Sequence, residues 1–186
     1  MGRIILITGG ARSGKSTYAE ETALKIGGSI LYVATSIPFD DEMKARVQKH
    51  RERRPSGWST LEAYKDMDEH LRKSLEGKSG VLLDCITVMV TNLVLEVFKD
   101  IDHIQPEEIE EAEAYAGREI TRLLEAARRA EVPFILVTNE VGMGIVPEYP
   151  SGRVFRDVCG RINQVLARAA DEVYFCVSGI PMKIKG

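Results

Sequence analysis

Cysteine is scarce: Cys85, Cys159 and Cys176 stand alone, with no C-x-x-C or mixed Cys/His spacing. Neither a zinc site nor a disulfide framework is expected, and a reducing cytoplasm suits three isolated thiols. No apolar run reaches the roughly 18 residues of a membrane span, and the first predicted strand opens within three residues of Met1, so neither a span nor a signal peptide is expected. Neither sign of charge dominates. With 25 Lys and Arg against 28 Asp and Glu, the net charge is −3 and the pI about 5.7, too acidic to coat nucleic acid by charge alone. Repeats, low-complexity tracts and interdomain linkers are also missing. A chain of 186 residues, 44% apolar and 28% charged, is therefore read as one soluble globular domain spanning residues 1–186, able to bury roughly 70% of its unfolded surface.

What the sequence does have is concentrated near its start. Gly9, Gly14, Lys15 and Ser16 satisfy G-x-x-x-x-G-K-[ST], with the apolar run Ile4-Ile5-Leu6-Ile7 before them and a helix former after them, the strand–loop–helix context this phosphate-binding pattern requires. A loop made of Gly9, Gly10, Ala11, Arg12, Ser13 and Gly14 can turn its N–H groups toward phosphates, and the helix N-terminus adds partial positive charge. Lys15 is expected to reach the β- and γ-phosphates, and Ser16 to place its hydroxyl on Mg²⁺.

The remaining chain alternates apolar runs with helical patterns. Strands are predicted at Ile4 to Thr8, Ile30 to Thr35, Gly80 to Asp84, Pro133 to Thr138 and Glu172 to Val177, all continuous enough to be buried on both faces. Helices are predicted from Lys15 to Ile26, Asp40 to Arg54, Asp66 to Leu75, 85 to 99, Pro106 to Ala130 and Ser151 to Ala170. Trp58 to Ala63 reads as a short extended segment, and Met182 to Gly186 as a short basic tail. The fold class is α/β, a doubly wound, mostly parallel sheet of the P-loop NTPase type with helices on both faces and ligands beyond the carboxyl ends of the strands. Asp84, ending its strand, is the candidate Walker B carboxylate for Mg²⁺, with a weaker case for taking a substrate hydroxyl's proton. The helix over 85 to 99 is apolar almost all round, which implies burial or an oligomer interface. Asn139 to Pro147 lacks the third glycine of a dinucleotide fingerprint and is read as a substrate loop in preference to a plain connector. His70 and His103 read as surface histidines.

A second signal lies in Arg46-Val47-Gln48-Lys49-His50-Arg51-Glu52-Arg53-Arg54-Pro55. Composition alone allows a solvated helix end, a nucleic-acid patch or a site for a second triphosphate. At 100° per residue His50 shares a stripe with Met43, Val47 and Arg54, facing the protein body, whereas Lys49 lies nearly opposite.

Taken together, Thr8 to Ser16, Tyr32 to Ser36, Asp41 to Pro55, Leu83 to Thr87, Met89 to Leu93, Thr138 to Pro147 and Val177 to Ile180 resemble, almost end to end, the bifunctional adenosylcobinamide kinase/adenosylcobinamide-phosphate guanylyltransferases of cobalamin biosynthesis. The Asn-Glu-Val-Gly-Met-Gly loop and the His-Arg segment carry the resemblance more specifically than the phosphate loop. It implies phosphorylation of the aminopropanol hydroxyl of adenosylcobinamide by ATP or GTP. GMP then passes from GTP through a histidine to the phosphorylated cobinamide, giving adenosylcobinamide-GDP. On this resemblance His50 is the guanylylated histidine, with Ala34, Thr35, Ser36, Arg51, Glu52, Arg53, Arg54, Glu62 and Asp84 among the positions that contact GTP. It also implies a homo-oligomer, trimers being the precedent.

The chemistry agrees. A neutral imidazole is an able nucleophile near pH 7, and neighbouring guanidinium groups offset charge on the α-phosphate and leaving pyrophosphate. Two other readings stay open at this point: a single-activity P-loop kinase acting on a small alcohol, and a non-enzymatic nucleotide-dependent switch.

Overall fold

The apolar runs alternate in which side chains they send to each face, and this alternation sorts the core into two layers. The structure is a computed structural model that describes residues 2–36 and 55–186. Strands β1 (Ile4–Gly9), β2 (Ile30–Ala34), β3 (Ser59–Glu62), β4 (Gly80–Asp84), β5 (Phe134–Val137), β6 (Glu172–Val177) and β7 (Ile180–Lys185) form one sheet in the order β3-β2-β4-β5-β1-β6-β7. All neighbours pair in parallel except β6 with β7.

Helices among the described residues are α1 (Lys15–Ile26), α2 (Met67–Ser74), α3 (Ile86–Val97), α4 (Pro106–Arg129) and α5 (Pro150–Ala169). Ile5, Ile7, Tyr32, Ala34 and Val137 pack with Ala19 and Ala23 of α1. Ile4, Leu6, Leu31, Val33 and Leu136 pack on the other face with residues of α2 to α5. Both faces of the central strands are thus covered by helices, which is why those strands read as continuous apolar runs. The predicted helix over Asp40 to Arg54 lies outside the described residues.

One predicted element resolves between its two readings and another changes. Most of the apolar coat of α3 is consumed inside the chain: Met89, Val90, Leu93 and Val94 are buried against the shared core, and Leu95 stays exposed. The presumed tail from Met182 is most of an edge strand. Ser178 and Gly179 both adopt left-handed backbone, with φ of 50° and 82°, as a two-residue hairpin turn demands, and this returns the chain along β6. The alternation of Ile180, Met182 and Ile184 with Lys183 and Lys185 is the period of a strand.

Parallel register aligns the carboxyl ends. Glu62 pairs with Ala34, Ala34 with Asp84, Asp84 with Val137, and Val137 with Ile7. Paired residues share a face, and Ala34, Val137 and Ile7 belong to the α1 side. Glu62 and Asp84 therefore project from the same side of the sheet as the helix that follows the phosphate loop.

Candidate functional site

The phosphate loop is held open by left-handed backbone at two points: Arg12 has φ 54° and Gly14 φ 90°. Gly14 meets a second constraint, because a Cβ there would lie 2.9 Å from the Cα of Gly179. The β6–β7 turn thus presses directly on the loop, and Gly179 N–H donates to the Ser13 carbonyl at 2.9 Å. This contact gives the Val177-Ser178-Gly179-Ile180 stretch a physical role that sequence reasoning missed; the Ser-Gly dipeptide was its available signal.

Lys15, at the first turn of α1, is only 8% exposed, and its Nζ donates to the Gly10 carbonyl at 3.0 Å. The ammonium is therefore folded back over the loop. Helix α1 begins with no side-chain cap on its N-terminus, so its first N–H groups are offered to a ligand rather than to the chain. The hydroxyls of Thr8 and Ser13 are buried with no hydrogen-bond partner among the described residues. Ala11 and Arg12 are exposed and Ser16 is half-buried.

Asp84 is half-buried at the end of β4, and its backbone is clamped from β2. Thr35 is 1% exposed, and its Oγ1 donates to the Cys85 carbonyl at 2.7 Å and accepts the Cys85 N–H at 3.0 Å. Asn92 of α3 donates from Nδ2 to the Thr35 carbonyl at 2.8 Å. The hydroxyl and carbonyl of Thr35 thus both point into the protein, making it a brace for the Asp84–Cys85 backbone. Burial, with the Asp84 carboxylate nearby, pushes the Cys85 thiol up to about 11, and burial pushes Cys159 up to about 12. Both thiols stay protonated and unreactive near neutrality.

Ala34, Thr35, Ser36 and Glu62 line a cavity of about 290 Å³ completed by Ala63, Tyr64, Lys65 and His70. His70 is exposed, as expected of a surface histidine, yet it faces this cavity. One wall is fixed by Glu96, which accepts from Lys65 Nζ at 2.8 Å, from the Tyr64 hydroxyl, and from the Tyr115 hydroxyl at 3.2 Å. Burial opposes ionisation of Glu96, but the hydrogen bonds from Lys65 and Tyr64 outweigh it and hold the carboxyl below its ordinary range. His103 sits far out in solvent beside Asp100.

Beyond β5, a polar network anchors the next loop. Thr138 donates to Asn163 Oδ1 at 2.8 Å, Asn163 Nδ2 donates to the Asn139 carbonyl at 2.9 Å, and Asn139 N–H donates to Thr87 Oγ1 at 2.7 Å. Glu140 N–H then donates to the Gly9 carbonyl at 3.0 Å. The loop after β5 is thereby tied to the start of the phosphate loop.

The structure thus gathers Gly9 to Ser16, Ala34 to Ser36, Glu62 and Asp84 along one sheet edge. His50, Arg51, Glu52, Arg53 and Arg54 lie outside the described residues. Among the described residues there is no group of three or more His, Cys, Asp or Glu able to hold a metal, and no helix is long and apolar enough to cross a membrane.

Comparison with known proteins is consistent with this arrangement. The RadB recombinase structure matches with a TM-score of 0.50 at 18% identity, covering 94% of this chain and 74% of that one, which is a likeness of fold. The chain is 48% identical to the "Bifunctional adenosylcobalamin biosynthesis protein CobU" of Escherichia coli (strain K12), across 98% of this chain and 99% of that protein. Identity is also 48% to the protein of the same description in Salmonella typhimurium, with the same coverage. It is 39% to "Bifunctional adenosylcobalamin biosynthesis protein CobP" of Pseudomonas aeruginosa, across 97% and 96%. The model of the family described as cobinamide kinase / cobinamide phosphate guanyltransferase matches residues 5–184, and the chain belongs to that family.

Proposed function

We propose that the chain phosphorylates adenosylcobinamide with ATP or GTP, and then moves GMP from GTP through His50 onto adenosylcobinamide phosphate to give adenosylcobinamide-GDP. The observation that carries this reading is the Lys15 ammonium held over a left-handed phosphate loop, with Asp84 projecting on the same side of the sheet. In the first reaction the loop and the α1 N-terminus bind the triphosphate, and Lys15 offsets charge on the transferring group. The Ser16 hydroxyl and the Asp84 carboxylate are hard oxygen donors suited to Mg²⁺, which binds through one or two protein oxygens plus phosphates and so needs no larger acidic cluster. Ser16 and Asp84 would hold the ion, whose charge would offset that of the phosphates.

In the second reaction an imidazole nitrogen of His50 attacks the α-phosphorus and the bond to the α,β-bridging oxygen breaks, releasing pyrophosphate. A phosphate oxygen of the acceptor then attacks the same phosphorus, breaking the P–N bond and restoring the imidazole. Arg51, Arg53 and Arg54 supply cations beside His50 in sequence, with Glu52 between them, and Ala34 to Ser36 and Glu62 form the GTP side of the cavity. Three buried, unpaired cysteines fit a cytoplasmic location. The exposed apolar face of Ile180, Met182 and Ile184 on β7 supports a homo-oligomer, for which the family resemblance offers the trimer as precedent.

Mass spectrometry of adenosylcobinamide incubated with the protein, GTP and Mg²⁺ tests the reading. Sequential appearance of the phosphate and the GDP derivative is expected. The phosphate alone would leave a single-activity kinase.

A further inference from the structure

The loop after β5 carries a carboxylate that neither the nucleotide site nor the core uses. Strand β5 lies between β4, which ends in Asp84, and β1, which leads into the phosphate loop. Glu140 is therefore placed between the proposed metal side and the phosphate side of one edge. Its main chain is bonded to Gly9, and the preceding residue is fixed by Thr87 and Asn163, so its root is rigid in the way a reacting group requires.

The side chain is held by its own loop. Gly142 N–H donates to Glu140 Oε1 at 2.8 Å, leaving Oε2 available, and among the described residues no cation pairs with this carboxylate. Just beyond it Met143, Ile145 and Val146 are 78%, 97% and 61% exposed. A run of solvent-facing apolar side chains beside a phosphate site has no use for a triphosphate. It suits an acceptor that brings a large, partly apolar body, with its hydroxyl directed inward.

We propose that Glu140 is the general base of the phosphoryl transfer, resting on the kinase reading above, and that Met143, Ile145 and Val146 seat the body of the acceptor. The acceptor hydroxyl oxygen attacks the γ-phosphorus and the bond from that phosphorus to the β,γ-bridging oxygen breaks. The hydroxyl proton passes to Glu140 Oε2, and the nucleoside diphosphate leaves with the bond's electron pair. Asp84 is the poorer base for this step, because a carboxylate beside a divalent cation loses basicity.

The test is steady-state phosphorylation of adenosylcobinamide by ATP, with ATP affinity read separately by calorimetry. Glu140→Gln is expected to lower kcat about 100-fold or more and to flatten the acid limb of the pH profile, with ATP affinity unchanged. Glu140→Asp should restore part of the rate, and Ile145→Ser should raise the acceptor KM with kcat kept. A Glu140→Gln kcat close to wild type overturns the assignment, as does a rate loss matched by an equal loss of ATP affinity, which would mark a structural role. Wild-type protein that forms no cobinamide phosphate would refute the kinase reading and the Glu140 role with it. An active wild type with an active Glu140→Gln refutes the Glu140 role alone.

Discussion

Replacing Thr35 with valine removes one hydroxyl and keeps the branched shape, which makes the brace beneath Asp84 directly measurable. The Cys85 carbonyl would keep a partner, since Met89 N–H also donates to it at 3.1 Å. The Cys85 N–H would not, because Thr35 Oγ1 is its acceptor in a site that is 1% exposed. One orphaned buried N–H costs about 1–3 kcal/mol, and about 2 kcal/mol is the expected destabilisation. For a chain of this length that lowers Tm by about 4–8 °C. Urea unfolding should show a lower midpoint with an unchanged slope, since the folded core is the same. Thr35→Ser keeps the hydroxyl and should retain most of the lost stability. The valine variant should also slow phosphoryl transfer by misplacing Asp84. Equal stability of Thr35→Val and wild type would refute the bracing role.

Lys15→Met should fold normally and lower kcat for cobinamide phosphorylation about 100- to 1,000-fold, the usual cost of losing one group aimed at transition-state charge, measured at saturating nucleotide. Asp171 accepts from Arg128 Nη1 and from Ile4 N–H, each at 2.7 Å, and the Arg128 hydrogen bond, then that of Ile4, holds its carboxyl below the ordinary range. A depressed pKa gives stability that is complete above the usual carboxylate value near pH 4 and is lost as pH falls through the lower folded value. The side chain is 41% exposed, so solvent screening limits the effect to about 1 kcal/mol. Thermal unfolding of Asp171→Asn should show that deficit at pH 7 and a shallower decline than wild type below pH 4.

The parts of the fold carried by local chemistry were legible. Five buried runs, a glycine-lysine-serine loop and a strand ending in Asp84 are each set by neighbours in sequence, and the structure gathers them at one edge. The hairpin return of β7 was legible in principle, because Ser178-Gly179 followed by alternating Ile and Lys residues is a turn-and-strand pattern; the lysines disguised it as a tail. Other features depend on contacts between segments far apart in the chain. Nothing near Thr35 shows that its hydroxyl turns inward to Cys85, 50 residues on, or that Asn163 fixes Asn139. Helix α3 allowed either burial or an interface, because sequence shows how much apolar surface a helix has, not how much of it α4 and α5 cover. His70 read correctly as exposed, but the cavity it faces exists only once β2 and β3 lie side by side.

The account turns most on His50, and intact-mass analysis after incubation with GTP and Mg²⁺ tests it directly, comparing wild type with His50→Ala. A GMP-sized increase in wild type that is absent from the substitution is the predicted result. GTP binding without any covalent gain in wild type, or an equal gain in His50→Ala, would contradict it.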